Sequence, residues 1–247
     1  MIKIKAILLA AGYGTRLYPL TLNKPKPLLE INNKPMIEHI IPKIEEIADI
    51  DEIYVITNNK FYKTFVEWKI GYRTNKKIEI INDETNSDED KLGAIGDMQF
   101  AIKNKNIDDD ILIVAGDNLF EFSLRKLNDF FKEKNVSVIA LYDVKDKNII
   151  KGKYGAVEID QNNKIIGVEE KPEEPKTTLA STACYIFAKK DIEELEKCIK
   201  DHNKPDNLGD FIKYLANKED VYGLAFTERW IDIGSKEQLE EARNTLK

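Results

Sequence analysis

The sequence has little that would suit a disulfide framework, a zinc site or a membrane span. Its 247 residues include only two cysteines, Cys184 and Cys198, which stand fourteen positions apart and outside any C-x-x-C pattern. Disulfide scaffolds and structural zinc sites need more cysteines at closer spacing. The apolar stretch that ends at Ala11 is too short to cross a bilayer and lacks a signal-peptide cleavage pattern. We therefore expect a cytoplasmic protein with no membrane partner.

The sequence also has no excess of positive charge. The 38 Lys and Arg residues are outnumbered by 44 Asp and Glu residues, which gives a formal net charge of -6 with both signs interspersed along the chain. A nucleic-acid-binding surface needs clustered Lys and Arg, so a nucleic-acid partner is not expected. Any anionic ligand must then be held by a local site.

The first part of the chain alternates apolar runs of strand length with amphipathic segments of helix length. This alternation predicts βα units stacked around a largely parallel sheet. Pro42 is expected to kink or shorten the helix that contains it. The predicted strands are residues 6–10, 53–57, 78–81, 111–115 and 136–142, and the predicted helices are residues 36–48, 61–68, 93–103 and 123–133.

After about residue 150 the pattern changes to shorter pieces. Residues 156–159 and 165–170 flank a turn-forming segment and predict an antiparallel hairpin, part of a second layer that caps the first sheet. No repeat or flexible linker interrupts the chain, so we expect one domain over residues 1–247, with halves at 1–145 and 146–247. The remaining predicted elements are a strand at 182–188, helices at 191–199 and 208–216, and a final helix from residue 236.

A glycine-rich loop directly follows the first predicted strand. It contains Gly12, Gly14 and Thr15. Glycine lets the backbone turn its amides toward a ligand and lets a phosphate come close. The loop is not a Walker loop, which ends in Gly-Lys-Ser/Thr, and it is not the dinucleotide fingerprint, which needs a third glycine where Leu17 stands.

Two cations follow this loop. Arg16 comes at its end, and Lys26 stands between Pro25 and Pro27, which stiffen the backbone around it. An arginine can hold phosphate oxygens through two parallel hydrogen bonds, and a lysine supplies a compact positive charge. A tight turn followed by solvated basic residues would give a similar pattern, so the longer sequence context decides between the two interpretations.

That context is the run from residue 12 to residue 28, Gly-Tyr-Gly-Thr-Arg-Leu-Tyr-Pro-Leu-Thr-Leu-Asn-Lys-Pro-Lys-Pro-Leu. It resembles the signature of the sugar-phosphate nucleotidylyltransferases, the family of glucose-1-phosphate thymidylyl- and uridylyltransferases. The resemblance implies a Rossmann-like, mostly parallel mixed sheet flanked by helices, with a small antiparallel sugar-binding layer. It also implies the joining of a sugar 1-phosphate to a nucleoside triphosphate, with release of pyrophosphate.

The resemblance assigns roles to the residues of the loop. Ala10, Gly12, Gly14 and Thr15 would bind the nucleotide, with the amides of the loop around the triphosphate. Arg16 would hold the β- and γ-phosphates that leave as pyrophosphate. As the second cation, Lys26 would stabilise charge at the reacting α-phosphate. The reaction would be an in-line displacement in which the enzyme positions and neutralises two anions.

Two phosphates repel each other, so a hard divalent cation held by carboxylates is expected. Asp117 follows an apolar strand in a Gly-Asp-Asn segment, and Asp232 lies in the segment Trp-Ile-Asp-Ile-Gly. Either aspartate alone would also suit a turn or a helix cap. Both segments are similar to the family's two metal-bearing segments, in the same order, which implies Asp117 and Asp232 as ligands of Mg²⁺.

The acceptor sugar would bind to the second half of the chain. Tyr154 and Gly155 resemble a family Tyr-Gly turn, and Glu170 with Lys171 resembles its Glu-Lys-Pro segment. The resemblance implies that Glu170 binds sugar hydroxyls and that Lys171 pairs with the incoming phosphate. Ala183 stands where the family usually has glycine, which adds a methyl group beside the sugar and leaves the identity of the acceptor open.

The nucleobase is expected at Gly93, in a segment that resembles the family's glycine-containing helix start. The loop at residues 82–91 before it is longer and more acidic than that of thymidylyltransferases, and only its ends are expected to bound the base pocket. A pyrimidine triphosphate, dTTP or UTP, is preferred because the chain is most similar to the thymidylyl and uridylyl branch. His39 and His202 are expected to be structural or exposed.

Two alternatives stay open. One is a cytidylyltransferase that acts on a non-sugar phosphate such as phosphocholine, and the other is a catalytically silent protein that binds nucleotide sugars. The length of the chain leaves no room for the β-helical extension of the acyltransferase-fused members, so we expect the transferase core alone. The family often forms dimers or tetramers, and a homo-oligomer is therefore possible.

Overall fold

The computed structural model describes residues 3–201 and 207–245 and confirms the predicted α/β class. Most predicted elements are present at or near their predicted positions. The strands are β1 (Ile4–Leu9), β2 (Glu30–Ile31), β3 (Lys34–Pro35), β4 (Ile50–Thr57), β5 (Lys77–Asn82), β6 (Asp110–Ala115), β7 (Asn118–Phe120), β8 (Val138–Asp143), β9 (Ala156–Ile159), β10 (Ile165–Glu169), β11 (Leu179–Phe187), β12 (Tyr222–Phe226) and β13 (Trp230–Asp232). The α-helices are α1 (Ile37–Glu45), α2 (Tyr62–Gly71), α3 (Gly93–Lys105), α4 (Leu124–Lys134), α5 (Lys147–Ile150), α6 (Lys189–Ile192), α7 (Leu195–Asp201), α8 (Leu208–Ala216) and α9 (Lys236–Thr245).

Within the described residues, nine strands form one mixed sheet. Its parallel part has the order β5-β4-β1-β6, as the alternating pattern predicts. Strand β11 then pairs antiparallel with both β6 and β8, and β12 is parallel to β8. The predicted hairpin of β9 and β10 is confirmed, but it was expected in a second layer over the sheet. It is instead bridged to β11 between Ala156 and Ala180 and so extends the same sheet. Two small antiparallel sheets, β13-β7 and β2-β3, lie outside it.

The core lies on both faces of the sheet. Successive side chains of a strand point to opposite faces, and β1 is buried on both. Ile4, Ala6 and Leu8 belong to one apolar cluster, together with the apolar residues of α1 and α4. Ile7 belongs to a second cluster, which includes residues of α3 and α8. Helices on both faces explain why residues 6–9 of β1 are all apolar.

Three local details differ from the predicted bounds or were not predicted. The first helix ends at Glu45, before the predicted residue 48, and Pro42 lies in its last turn, so the expected shortening is confirmed. The helix predicted at 191–199 is broken into α6 and α7. Strand β12 was not predicted. A β-carbon on its Gly223 would lie 2.4 Å from Leu141 Cδ1, so the close packing of β12 against β8 favours glycine at this position.

No helix among the described residues is long and apolar enough to cross a membrane. His39 contacts the carbonyl oxygen of Ile31 through Nε2 at 3.1 Å, whereas His202 lies outside the described residues. The division of the chain at residue 145 stays an interpretation.

Candidate active site

The candidate site lies at the carboxyl edge of the parallel strands. The glycine-rich loop follows β1, Asn58 follows β4, Asp83 follows β5, and Asp117 lies just after β6. Open α/β sheets bind their ligands at this edge because the loops that leave the strands converge there. The fold therefore brings four separate segments of the sequence to one place.

The glycine-rich loop is held in a fixed shape. Gly14 has a φ of 63°, the left-handed region that favours glycine, and it precedes a short 3₁₀ helix over Thr15–Leu17. The hydroxyl of Thr21 donates to the carbonyl oxygen of Gly14 at 2.6 Å. The Asn58 side-chain amide donates to the carbonyl oxygen of Ala11 at 2.7 Å. These bonds hold the loop from both sides and leave Gly12 exposed.

Gly116 brings the segment that carries Asp117 against the end of β1. Its N–H donates to the carbonyl oxygen of Leu9 at 2.8 Å. A β-carbon at this position would lie 2.8 Å from the same oxygen and 3.1 Å from Pro27 Cγ. Only a glycine allows this approach, which places Asp117 beside both the glycine-rich loop and the segment of Lys26.

Asp117 and Asp232 are brought together by the pairing of β7 with β13. In that register Asp232 faces Asn118, and the N–H of Ile233 donates to the carbonyl oxygen of Asp117 at 3.0 Å. The Asn118 side-chain amide donates to Asp117 Oδ1 at 2.8 Å and to Asp232 Oδ1 at 3.4 Å. Trp230 Nε1 in turn donates to Asn118 Oδ1 at 2.7 Å. One oriented amide thus lies between two carboxylates that are far apart in sequence.

Both predicted cations point to the same place. Lys26 Nζ donates to Asp117 Oδ2 at 2.5 Å and to the carbonyl oxygen of Ile233 at 2.9 Å, and its side chain is only 12% exposed. The guanidinium of Arg16 lies against Gly234, where a built β-carbon would be 3.5 Å from Nη1. Lys26 and Arg16 both act electrostatically on Asp232. The predicted catalytic cations and acidic residues therefore form one cluster.

The two carboxyl groups have opposite pKa shifts. Burial and the nearby carboxylate of Asp117 raise the pKa of Asp232 to about 6, against the effect of Lys26 and Arg16. Burial also disfavours the charged form of Asp117, but the charge of Lys26 and the hydrogen bonds from Lys26 and Asn118 hold the pKa of Asp117 below its usual value. Two ionised groups held this close repel each other, and a cation between them would relieve the repulsion.

The donor set suits a hard divalent cation. Two carboxylates supply oxygen ligands, which Mg²⁺ prefers, and Mg²⁺ commonly completes its shell with waters and substrate phosphates. Among residues 3–201 and 207–245 no group of three or more His, Cys, Asp or Glu side chains is arranged to hold a metal by itself. A cation at Asp117 and Asp232 would complete its shell with other oxygens, such as those of water and substrate phosphates.

Two cavities meet at this cluster. The first, of about 510 Å³, is called the glycine-loop cavity because residues 9–17 line it. The predicted residues in its wall are Ala10, Gly12, Gly14, Thr15, Arg16, Lys26, Gly93 and Asp117. The second, of about 230 Å³, is called the hairpin cavity because residues near the β9-β10 hairpin line it. The predicted residues in its wall are Asp117, Tyr154, Gly155, Glu170, Lys171 and Asp232.

Asp117 lines both cavities, together with Leu9, Ala94 and Ala115. Every residue that the sequence predicted for the site therefore lines one cavity or both. Two ligands, one in each cavity, would come closest to each other at Asp117.

Glu170, whose side chain is 40% exposed, lies beside two glycines from different elements. A β-carbon on Gly155 would lie 3.2 Å from Glu170 Oε2, and one on Gly209, in α8, would lie 3.5 Å from the same atom. Lys171 Nζ is 3.6 Å from Glu170 Oε1. Ala183 has a φ of 55°, so this residue adopts the left-handed backbone for which glycine is better suited.

Several residues of the two cavities were not predicted from sequence. In the hairpin cavity they include Lys153, Ser181, Tyr185 and Asn207, and in the glycine-loop cavity they include Asp83, Asp88, Lys91 and Asp97. Tyr13 and Trp230 are both buried, as packing residues are, and each also lines a cavity. The only sequence signal for these unpredicted cavity residues was a position beside a recognised motif, because the residues that they face come from distant segments of the chain.

Several known proteins are similar to this chain along most of its length. The family model described as nucleotidyl transferase matches residues 5–247. The bifunctional protein GlmU of Methanocaldococcus jannaschii is 34% identical over 241 residues, which are 98% of this chain and 54% of that protein. A putative mannose-1-phosphate guanyltransferase of Sulfolobus acidocaldarius is 29% identical over 236 residues, 94% of this chain and 60% of that protein. The chain thus spans about half the length of the GlmU relatives that it matches.

Solved structures show the same fold. A putative glucose-1-phosphate thymidylyltransferase from Bacillus anthracis superposes with a TM-score of 0.83 at 26% identity, covering 98% of this chain and 94% of that one. A UDP-glucose pyrophosphorylase complexed with UDP-glucose has a TM-score of 0.84 at 21% identity, covering 99% and 98% of the two chains.

Proposed function

The chain belongs to the nucleotidyl transferase family, and on that premise we propose that it condenses a sugar 1-phosphate with a nucleoside triphosphate, releasing a nucleotide sugar and pyrophosphate. The observation that carries the proposal is the meeting of two cavities at Asp117, beside Asp232, Arg16 and Lys26. A hexose 1-phosphate such as glucose 1-phosphate is the proposed acceptor, since the relatives include a putative thymidylyltransferase that is named for glucose 1-phosphate.

In the proposed reaction the triphosphate occupies the glycine-loop cavity. An oxygen of the sugar phosphate attacks the α-phosphorus, the bond from that phosphorus to the bridging oxygen of the β-phosphate breaks, and pyrophosphate leaves. The backbone of Gly12 to Thr15 binds phosphate oxygens. Arg16 holds the departing phosphates, and Lys26 neutralises charge at the α-phosphate.

In the hairpin cavity, Tyr154 and Gly155 contact the sugar, Glu170 accepts hydrogen bonds from its hydroxyls, and Lys171 binds its phosphate. Asp117 and Asp232 would hold Mg²⁺, which when bound neutralises the phosphates and polarises the reacting phosphorus. The amide of Asn118 keeps both carboxylates oriented. Because Lys26 is hydrogen-bonded to Asp117, its charge stays at the boundary between the cavities, where the two anions would meet.

Pyrophosphate release tests the proposal. The purified chain is incubated with Mg²⁺ and each of ATP, GTP, CTP, UTP and dTTP, against glucose 1-phosphate, other hexose 1-phosphates and phosphocholine. Release that requires both a triphosphate and a sugar 1-phosphate is expected. The highest rates are expected with dTTP or UTP, because the motifs resemble the thymidylyl and uridylyl branch. Release with CTP and phosphocholine alone would favour a cytidylyltransferase, and no release with any pair would contradict the proposal.

A further inference from the structure

Tyr13 is a large aromatic side chain in the middle of the glycine-rich loop. It stands between Gly12, which is exposed, and Gly14, which has the left-handed backbone, yet only 5% of its own surface is exposed. It also lines the glycine-loop cavity. A buried tyrosine usually places its hydroxyl against a hydrogen-bonding partner. The proposed phosphate chemistry assigns no role to this side chain, so the contacts of its hydroxyl are the guide to its role.

The partner of that hydroxyl lies in loop 82–91. Tyr13 Oη is 3.3 Å from Oγ1 of Thr85, which is itself 5% exposed and lies 72 positions further along the chain. The Thr85 hydroxyl donates to Oδ1 of Asp83 at 2.8 Å, so its oxygen is left to accept the hydroxyl of Tyr13. The glycine-rich loop and loop 82–91 are therefore joined through a buried chain of two hydroxyls and a carboxyl group.

Thr85 is a firm point of attachment. Its N–H also donates to Oδ1 of Asp83 at 2.8 Å, and its carbonyl oxygen accepts the N–H of Asn59 at 3.0 Å. The N–H of Asp83 donates to the carbonyl oxygen of Thr57, the last residue of β4, at 2.8 Å. Thr85 is thus fixed to the carboxyl edge of the sheet by bonds to β4 and to the segment that follows it.

The next part of loop 82–91 is folded back on itself. The carboxylate of Asp90 accepts the N–H groups of Asn86 and Ser87 at 2.7 to 3.1 Å. The Asn59 side-chain amide donates to Oδ1 of Asn86 at 2.8 Å. These bonds give the loop a defined shape that depends on the segment after β4. The loop can therefore hold the hydroxyl of Tyr13 in one position.

Both neighbours of Gly12 are held by the edge of the sheet. On one side the Asn58 side-chain amide donates to the carbonyl oxygen of Ala11 at 2.7 Å, and on the other the hydroxyl of Tyr13 contacts Thr85. A backbone that is fixed on both sides keeps its amides oriented before a ligand arrives. Such preorganisation strengthens binding, because less conformational freedom is lost when the ligand binds.

We propose that Tyr13 is a positioning residue, whose hydroxyl, bonded to Thr85, keeps the amides of the glycine-rich loop in the orientation that binds the phosphates of the triphosphate. This inference rests on the proposed function, because it places the triphosphate in the glycine-loop cavity. It also gives loop 82–91 a part in phosphate binding, as the support of the glycine-rich loop. Without the hydroxyl the free loop would populate other arrangements, and only the fraction in the binding arrangement would take up the ligand.

Tyr13→Phe removes the hydroxyl and keeps the ring. Isothermal titration calorimetry in Mg²⁺ buffer, without sugar phosphate, is performed with whichever of ATP, GTP, CTP, UTP and dTTP binds the unmodified chain most tightly. Loss of one hydrogen bond should weaken this binding about fivefold. The KM for the sugar 1-phosphate should stay unchanged, since Tyr13 does not line the hairpin cavity. An unchanged triphosphate affinity, or an equal loss for both substrates, would overturn the inference.

Tyr54→Phe is the matched control. Tyr54 is also 5% exposed, its hydroxyl donates to Oε2 of Glu52 at 2.8 Å, and it lies in β4 and lines neither cavity. Each variant loses one buried hydrogen bond and should lower the melting temperature, but only Tyr13→Phe should weaken triphosphate binding. Equal weakening in the two variants would show a general loss of stability and would contradict a positioning role.

Substitutions at Thr85 test the partner. Thr85→Ser keeps the hydroxyl that receives the Tyr13 proton and should bind triphosphate nearly as tightly as the unmodified chain. Thr85→Val has a similar shape without the hydroxyl and should weaken binding at least about fivefold. Adding Tyr13→Phe to it should cause no further loss, because the two changes remove the same bond. A serine variant as weak as the valine variant, or losses that multiply in the double variant, would rule out the link through Thr85.

The calorimetry needs no turnover, so the two proposals fail separately. Weaker triphosphate binding in Tyr13→Phe, without pyrophosphate release by the unmodified chain, would support the positioning role and contradict the proposed reaction. Pyrophosphate release by the unmodified chain, with an unchanged triphosphate affinity in Tyr13→Phe, would support the reaction and reject the positioning role.

Discussion

The two cavities are built in different ways from the same chain. Much of the wall of the glycine-loop cavity comes from one continuous stretch, residues 9–17, whose shape depends on local bonds. The hairpin cavity is assembled from separate segments, including β9, β11 and the start of α8. A phosphate can be bound by a short loop of backbone amides, whereas a sugar needs side chains from several directions. Substitutions in one cavity, or in both, test whether the first binds phosphate and the second binds the sugar.

Asp117→Asn should have the largest effect, because Asp117 borders both cavities and contacts Lys26. Removing a carboxylate that holds the cation should lower kcat at least about a hundredfold, since charge stabilisation of this kind is worth several kcal/mol. Pyrophosphate release measures the loss. Asp108→Asn makes the same chemical change at a residue whose side chain is 82% exposed and should leave kcat unchanged. Equal activity of the two variants would remove Asp117 from the reaction centre.

Lys171→Met and Arg16→Met should affect the two substrates separately. A charged hydrogen bond contributes about 1.5 to 3 kcal/mol, so each variant should weaken its own substrate about ten- to a hundredfold. Lys171→Met should raise the KM for the sugar 1-phosphate and leave triphosphate binding unchanged. Arg16→Met should weaken triphosphate binding, measured by calorimetry, and leave the sugar-phosphate KM unchanged. If each variant weakened both substrates equally, the division into two subsites would be wrong.

Gly12→Ala should weaken triphosphate binding without lowering the stability of the fold. A β-carbon on Gly12 would meet nothing within 4 Å, so the substitution should not lower the melting temperature. If phosphate lies against this backbone, the added methyl group should weaken triphosphate binding about tenfold through steric crowding. Gly71→Ala is the matched control, since its β-carbon would also meet nothing within 4 Å and it lies in α2, away from both cavities. Equal triphosphate affinity in both variants would show that phosphate does not approach Gly12.

Ala183→Gly should have the smallest effect and acts only on the hairpin cavity. The left-handed backbone at φ 55° costs an alanine about 1 to 2 kcal/mol, and the greater freedom of glycine in the unfolded chain offsets about 0.5 to 1 kcal/mol. The free energy of unfolding should rise by at most about 1.5 kcal/mol. Urea denaturation measures the change, and a clear loss of stability would show that the methyl group contributes packing that outweighs the backbone cost.

The sequence predicted what is local and missed what depends on pairing. The run from residue 12 to residue 28 contains its own turn geometry and charges, so its loop and cations were predicted directly. The meeting of Asp117 and Asp232 was implied by family motifs, but the amide of Asn118 between them follows from the register of β7 and β13.

Asp83 and Asp97 were missed for the same reason. They lie on different elements, and nothing in the spacing of a strand end and a helix indicates that both side chains will line one cavity. Loop 82–91 was expected to bound a base pocket only at its ends. Asp83 does line the glycine-loop cavity, as do Asp88 and Lys91, while Glu89 is exposed.

The central claim is that Asp117 and Asp232 hold one cation together, and a double-mutant cycle in kcat tests it most directly. Asp117→Asn, Asp232→Asn and the double variant are compared with the unmodified chain by pyrophosphate release under saturating Mg²⁺, triphosphate and sugar 1-phosphate. Residues that act as one unit are strongly non-additive. A shared site predicts that the double variant loses about as much kcat as the more damaging single variant. Losses that multiply would show that the two carboxylates act independently and would contradict the shared site.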